Sequence, residues 1–237
     1  MIKRIDNEAE LAFLPEKGIE ANKIRALFLA YGLKYDFCRF YIQDDECIIS
    51  SLDGSFVICG DSPDYEELAK FFTVNGFSDI FCSEEAGLCL TEYLPSDKHR
   101  VNFMKYSGDP YPCAVDEAPS LTDVYAILKD CFDIDFEPWY LDMSHRVRHG
   151  VSQCFLLNET STVTVQYDIN GEALISQVAT KKDSRGQGTG SRIVKAVSSK
   201  LSPSEVYIIC EDELIDFYKR SGYTKIGKKC IILPKSY

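Results

Sequence analysis

VATKKDSRGQGTGSRIVKAVSSKL (178–201) passes from a strand end through a glycine-rich loop into an amphipathic helix. Arg185-Gly186-Gln187-Gly188-Thr189-Gly190 packs three glycines into six residues. Glycine lets a backbone bend sharply and approach a ligand without side-chain interference. The loop amides, and the free N–H groups of the helix behind them, point at whatever sits there. The helix dipole makes that position favourable for an anion. Lys181, Lys182, Arg185 and Arg192 add positive charge. A phosphate-bearing ligand follows from these features. No Gly-Lys-Ser/Thr ends the loop, so it is not a nucleotide P-loop. It also reads poorly as a dinucleotide fingerprint, because it follows an antiparallel hairpin strand. Glu205, at the right distance for a ribose contact, precedes its strand instead of ending it.

Working outward, TVTVQYDI and EALISQVAT flank Asn170-Gly171, a strong hairpin signal. VSQCFLL before them and EVYIIC after the helix read as strands. Ser120 is placed to cap a helix, with Asp123 three residues on. Leu121, Val124, Tyr125, Leu128 and Phe132 then share one helical face. FEPWYLDMSHRVRHG reads as a second helix ending at Gly150. DELIDFYKRSG is a short helix closing at Gly222, and YTKIGKKCIILP a terminal pair of strands. Helices flanking a mixed, mostly antiparallel sheet make this half an α/β (α+β) domain.

The first half opens with helical pattern (NEAELAFL, NKIRALFLAYGL). It continues in strands FCRFYIQ, ECIISS and SFVICG, a short helix PDYEELAKFF and a strand FSDIFC. SEEAGLCLTEYL stays open between helix and strand. SGDPYPCAVDEAP (107–119) collects turn formers with little periodicity, which places a linker there and a boundary near 115. The expected domains are therefore 1–115 and 116–237. FFTVNGFSDI (71–80) aligns without gaps on FYKRSGYTKI (217–226), and FVIC (56–59) on YIIC (207–210) with five residues inserted. This echo makes the first domain a candidate degenerate copy of the second.

Composition bounds the rest. The 237 residues are 45% hydrophobic and 12% aromatic, which excludes intrinsic disorder. No apolar run is long enough for a membrane-spanning helix, and no secretory signal opens the chain. The net charge of −11 is uneven. Residues 1–118 carry 11 Lys+Arg against 22 Asp+Glu, while the remainder is balanced at 15 and 15. Such acidity opposes nonspecific nucleic-acid binding and tolerates cationic ligands. Ten cysteines without a single C-x-x-C, most of them inside apolar runs, read as buried reduced thiols in a cytoplasmic protein.

The order strand, Arg-x-x-Gly-x-Gly, helix, strand, then a short helix ending in aromatic-Tyr-x-x-x-Gly-aromatic resembles the GNAT superfamily of N-acetyltransferases. The pieces are VAT, KKDSRGQGTG, SRIVKAVSSKL, EVYIIC and DELIDFYKRSGY, and the resemblance covers about 118–237. It implies that Arg185, Gly186, Gln187, Gly188, Thr189, Gly190 and Ser191 hold the pyrophosphate of acetyl-CoA. It implies that Val178, Ala179 and Thr180 pair with the pantetheine arm and polarise the thioester carbonyl. Tyr218 stands where the family places the acid that protonates the departing CoA thiolate. Direct transfer to a primary amine in a ternary complex is the implied reaction, with a small-molecule or peptide amine as acceptor. An amine near pKa ~10 must lose a proton before it attacks, the oxyanion needs a pre-aimed donor, and the leaving thiolate needs little help. The alternatives are a catalytically idle acyl-CoA-binding module or a partner-binding protein.

The chain departs from the family pattern at Glu211, where Asn is frequent, at Leu214, where a small residue is frequent, and at Lys182, often Pro. Changes at 211 and 214 bear on where Tyr218 points, and an aromatic that merely packs is its other reading. Glu211 is the candidate general base, directly or through water. An ordinary helix-start carboxylate is the plain alternative. Glu172, Ser176 and Gln177 lie on the key strand as lesser candidates. His145 and His149 have the i, i+4 spacing of a metal pair, but no Glu between them and no matching cluster. No metal is expected, and a solvated helix end or an acceptor contact shared with Trp139 and Tyr140 is the reading. Cys154 and Cys210 have apolar flanks that raise a thiol pKa, so neither is a nucleophile.

Overall fold

The computed structural model describes residues 1–235, which form two compact units. The first comprises residues 1–102 and 227–235, and the second 103–226. Among the described residues no helix is long and apolar enough to cross a membrane.

In the first unit β1 (Ile2–Arg4) and a 3-10 turn lead into α1 (Ile19–Tyr31). The antiparallel strands β2 (Cys38–Gln43), β3 (Cys47–Leu52) and β4 (Ser55–Gly60) follow. Next come α2 (Tyr65–Asn75), β5 (Asp79–Ser83), α3 (Glu84–Tyr93) and β6 (Ser96–Tyr106). β5 lies parallel to β4. SEEAGLCLTEYL, open from its sequence, is helical because the Ser83 side chain accepts from the Ala86 amide and sets an N-cap. Phe56, Leu68, Phe72, Ile80 and Leu90 make the core of this unit.

The second unit starts with α4 (Leu121–Leu128), whose cap at Ser120 accepts from the Asp123 amide as expected. α5 (Phe136–Arg148) follows, then the antiparallel strands β7 (Gln153–Leu157), β8 (Ser161–Ile169) and β9 (Glu172–Thr180). Asn170 and Gly171 both take positive φ, 54° and 73°, as a two-residue hairpin turn requires. α6 (Thr189–Lys200) carries the chain to β10 (Glu205–Cys210), parallel to β9. α7 (Ile215–Arg220) and β11 (Tyr223–Pro234) complete the order. Ile193, Val194 and Val197 of α6 pack with Phe155, Val163, Ile175, Val206 and Tyr223. Both units are mixed, mostly antiparallel sheets flanked by helices.

Three details differ from the sequence reading. The units divide at 102/103 and not in the turn-rich stretch 107–119, because Met104 and Tyr106 belong to the second core. That stretch is tied down within the second unit. The Tyr111 amide donates to Ser199 Oγ at 2.9 Å, and Asp116 exchanges backbone bonds with Leu156. The terminal pair of strands is one continuous strand, β11. Its later residues, Lys229–Ile232, pair antiparallel with Ile80–Ser83 of β5 and so belong to the first unit. The 71–80/217–226 echo joins elements of different station. α2 lies between the parallel pair β4/β5, as α6 lies between β9/β10, whereas the echo sets α2 against α7. A shared element order remains: strand, strand, strand, helix, strand, helix, strand, from β2 to β6 and again from β7 to β11.

Candidate active site

β9 carries a bulge at its far end. Thr164 of β8 pairs with Ser176 and Thr162 with Ala179, so Val163 alone faces both Gln177 and Val178. Gln177 accordingly takes φ +45°. Pairing between β9 and β10 ends at Ile175/Ile208, and beyond it the two strands part. Backbone groups of the last β9 residues are thereby released from the ladder on that side.

A cleft of about 690 Å³ occupies this opening. Its walls are Val178, Ala179 and Thr180 from β9, the loop and first turn of α6 at Arg185, Gly186, Gly188, Thr189, Gly190 and Ser191, and Tyr218 of α7. Ten of the twelve site residues expected from the sequence therefore meet in one cleft. Gln187 does not line it, and its side-chain amide donates to the Asp183 carbonyl. Glu211 does not line it either. It sits half-buried at the start of a 3-10 turn, where its carbonyl accepts from Leu214 N–H at 3.1 Å.

The glycines act for two different reasons. Gly186 and Gly188 have φ of 77° and 78°, conformations that L side chains rarely adopt. Gly190 is required by proximity, since a Cβ there would stand 2.9 Å from Thr180 Oγ1. α6 begins on Gly188 with no side-chain cap and no acidic residue in its first turn. Its first amides are therefore open to an anion, and the arrangement fits the pyrophosphate of CoA. Arg185 stretches along the cleft mouth. Its Nε donates to the Thr180 carbonyl at 3.1 Å, and Nη2 lies 3.1 Å from Cys131 Sγ. Ser191 Oγ meets Ser221 Oγ at 3.0 Å, which ties the start of α6 to the end of α7.

Tyr218 is buried in the second-unit core, with ring contacts to Phe217 and Tyr223. Burial, then the nearby Cys210, raises its phenol well above the usual tyrosine range, so it stays protonated at neutral pH. Burial also pushes the thiols of Cys154 and Cys210 up to about 11, which leaves them inert as nucleophiles. The His145 and His149 rings stack at 4.1 Å, and His149 Nδ1 is 2.8 Å from the His145 carbonyl. Neither lines the cleft. Trp139 Nε1 donates to Gln177 Oε1 at 3.2 Å, while Tyr140 lies at the surface. Cys131, Phe132, Ser184, Leu214, Phe217 and Arg220 complete the lining. The sequence assigned none of them to the site. Cys131 and Phe132 lie some fifty residues from the loop, and no periodicity signals that approach.

A family model described as an acetyltransferase (GNAT) domain matches residues 132–231. Solved structures share the fold over nearly the whole chain. A GCN5-related N-acetyltransferase from Kribbella flavida is 14% identical, with 92% of this chain and 95% of that chain covered and a TM-score of 0.65. A Drosophila protein is 10% identical, covers 98% of both chains and has a TM-score of 0.70. A GCN5-related N-acetyltransferase from Sphaerobacter thermophilus is 14% identical, with 98% and 94% covered and a TM-score of 0.58. No curated protein matches. Residues 132–231 are thus similar to a GNAT acetyltransferase domain, and the chain shares its fold with solved GNAT structures.

Proposed function

We propose that the chain is an acetyl-CoA-dependent N-acetyltransferase that moves an acetyl group directly to a primary amine, in a small molecule or a peptide. One observation carries this reading: the parted end of β9, the uncapped start of α6 and Tyr218 line a single cleft. Acetyl-CoA, when bound, supplies an activated thioester. Gly186 to Ser191 would hold its pyrophosphate, and the bulged strand Val178–Thr180 would pair with the pantetheine arm and donate toward the thioester carbonyl. Tyr218, kept protonated by burial, holds the proton that a departing thiolate needs. The ten free cysteines suit a reducing compartment such as the cytoplasm.

The first unit is read as a degenerate copy without a cofactor site. Its parallel pair β4/β5 also parts, after Val57/Phe81. But the Asp64 carboxylate caps α2 by accepting from the Glu67 amide, and Glu66 and Glu67 fill the first turn. A phosphate there would face carboxylates.

Calorimetric titration with acetyl-CoA, against free CoA and NAD, tests the proposal. One saturable site per chain for acetyl-CoA is expected, and absence of binding overturns it. A second reading, binding without turnover, draws on one fact: among the described residues lining the cleft none is Asp, Glu or His. Acetyl-CoA binding with no product across a panel of amines would favour it.

A further inference from the structure

The β9 bulge poses a conformational problem that its own sequence does not solve. Gln177 is neither Gly nor Asn, yet it holds φ +45° inside a strand. Such a conformation costs about 1 kcal/mol or more and persists only where surroundings over-determine it. The bulge also resets the side-chain alternation. Ala173 and Ile175 face the second-unit core, and after the bulge Val178 takes that face in place of Gln177. Ala179 instead joins the opposite cluster with Val124, Leu128 and Met143. A regular strand would reverse the facing of every residue from 178 onward. The cleft lining would change with it.

One side chain reaches the bulge from another element. Trp139 on α5 packs against that same cluster, and its ring lies 5.6 Å from the Tyr125 ring. Tyr125 is itself fixed by its hydroxyl, which donates to the Ile134 carbonyl at 2.9 Å. The indole is thus held by packing, and its N–H is spent on Gln177 Oε1 at 3.2 Å.

We propose that Trp139 is a positioning residue: through Gln177 it holds the bulge that sets Val178–Thr180 as the thioester-side wall of the cleft. The inference rests on the reading of the cleft as an acetyl-CoA site. The diphosphate wall, Gly186 to Ser191, belongs to a different element, and its turn is set by its own glycines at positive φ, Gly186 and Gly188.

Two variants remove the bond from opposite ends, Trp139→Phe and Gln177→Leu. Titration with acetyl-CoA and with adenosine 3′-phosphate 5′-diphosphate, the nucleotide part of CoA that lacks the pantetheine arm, should show acetyl-CoA affinity weakened about three- to tenfold in each, with the nucleotide unchanged. Adding Gln177→Gly to Trp139→Phe should restore the acetyl-CoA preference, because glycine adopts positive φ without an anchor. Hydrogen exchange on the ligand-free chain reads the bulge directly. Residues 177–180 should exchange faster in both single variants and regain protection in the double variant. Equal losses for both ligands, an unchanged preference, or a double variant no better than Trp139→Phe would each overturn the proposal. A wild-type chain that binds neither ligand would instead sink the cofactor reading. Exchange at 177–180 would then decide the anchor alone, and unchanged protection in Trp139→Phe would end it.

Discussion

At Gly190 one missing Cβ permits a close approach of α6 to β9. The start of α6 comes so close to β9 that Thr180 Oγ1 would lie 2.9 Å from any added Cβ. Gly190→Glu also sets a carboxylate at the helix start, in the space of a phosphate oxygen. Acetyl-CoA affinity should fall by about a hundredfold or more, read by calorimetry, and retained micromolar binding would refute the loop assignment. Tyr218→Phe removes only a proton donor from a buried ring. Binding should be unchanged while turnover falls about tenfold or more, since a thiolate leaves with little help. An unchanged turnover number would reduce Tyr218 to packing. The sequence could nominate these residues, and they line one cleft, because glycines and a tyrosine in fixed spacing stand close along the chain. Glu211 was read toward the site by the same proximity to Tyr218, yet its side chain is not in the lining. Nearness in sequence does not decide the direction of a side chain.

Among the elements, strands with clean hydrophobic runs and hairpin chemistry were readable, and SFVICG became β4 with the same bounds. β6 was not anticipated. Its first half, Ser96-Asp97-Lys98-His99-Arg100, is charged and exposed, and only its neighbours in the sheet make it a strand. α6, α7, β6 and β11 converge on three tyrosines, 106, 218 and 223, whose rings contact in series. Ser198 Oγ lies 2.6 Å from the Tyr223 hydroxyl. Burial raises all three phenols above the ordinary value of 10. The unfolded chain therefore releases these protons first as pH rises. The stabilisation they represent is complete below pH about 10 and declines above it toward the folded values. The urea midpoint should fall steeply beyond pH about 10, and Tyr223→Phe should flatten that fall. An unaltered slope in the variant would remove the cluster as its source.

At the scale of the whole molecule, the chain returns to its first unit at the end. Lys229–Ile232 pair with β5, Cys230 and Ile232 enter its core, and Lys229 Nζ meets Glu20 Oε1 at 2.6 Å with both side chains largely buried. Deleting residues 227–237 should therefore abolish the hydrogen-exchange protection of β4, β5 and α3, because it removes a strand partner and leaves Glu20 without its cation. Undiminished protection in those elements would contradict that dependence. Local features were readable from the residues alone: the hairpin at Asn170-Gly171, the cap at Ser120, the amphipathic α6 and the glycine-rich turn before it. Each rests on interactions among residues a few positions apart. Long-range packing set the division at 102/103, the return of β11, the bulge at Gln177 and the cleft walls from residues 131 and 132. Those depend on which distant strands pair and which faces are buried together, and a short-range pattern carries no record of either.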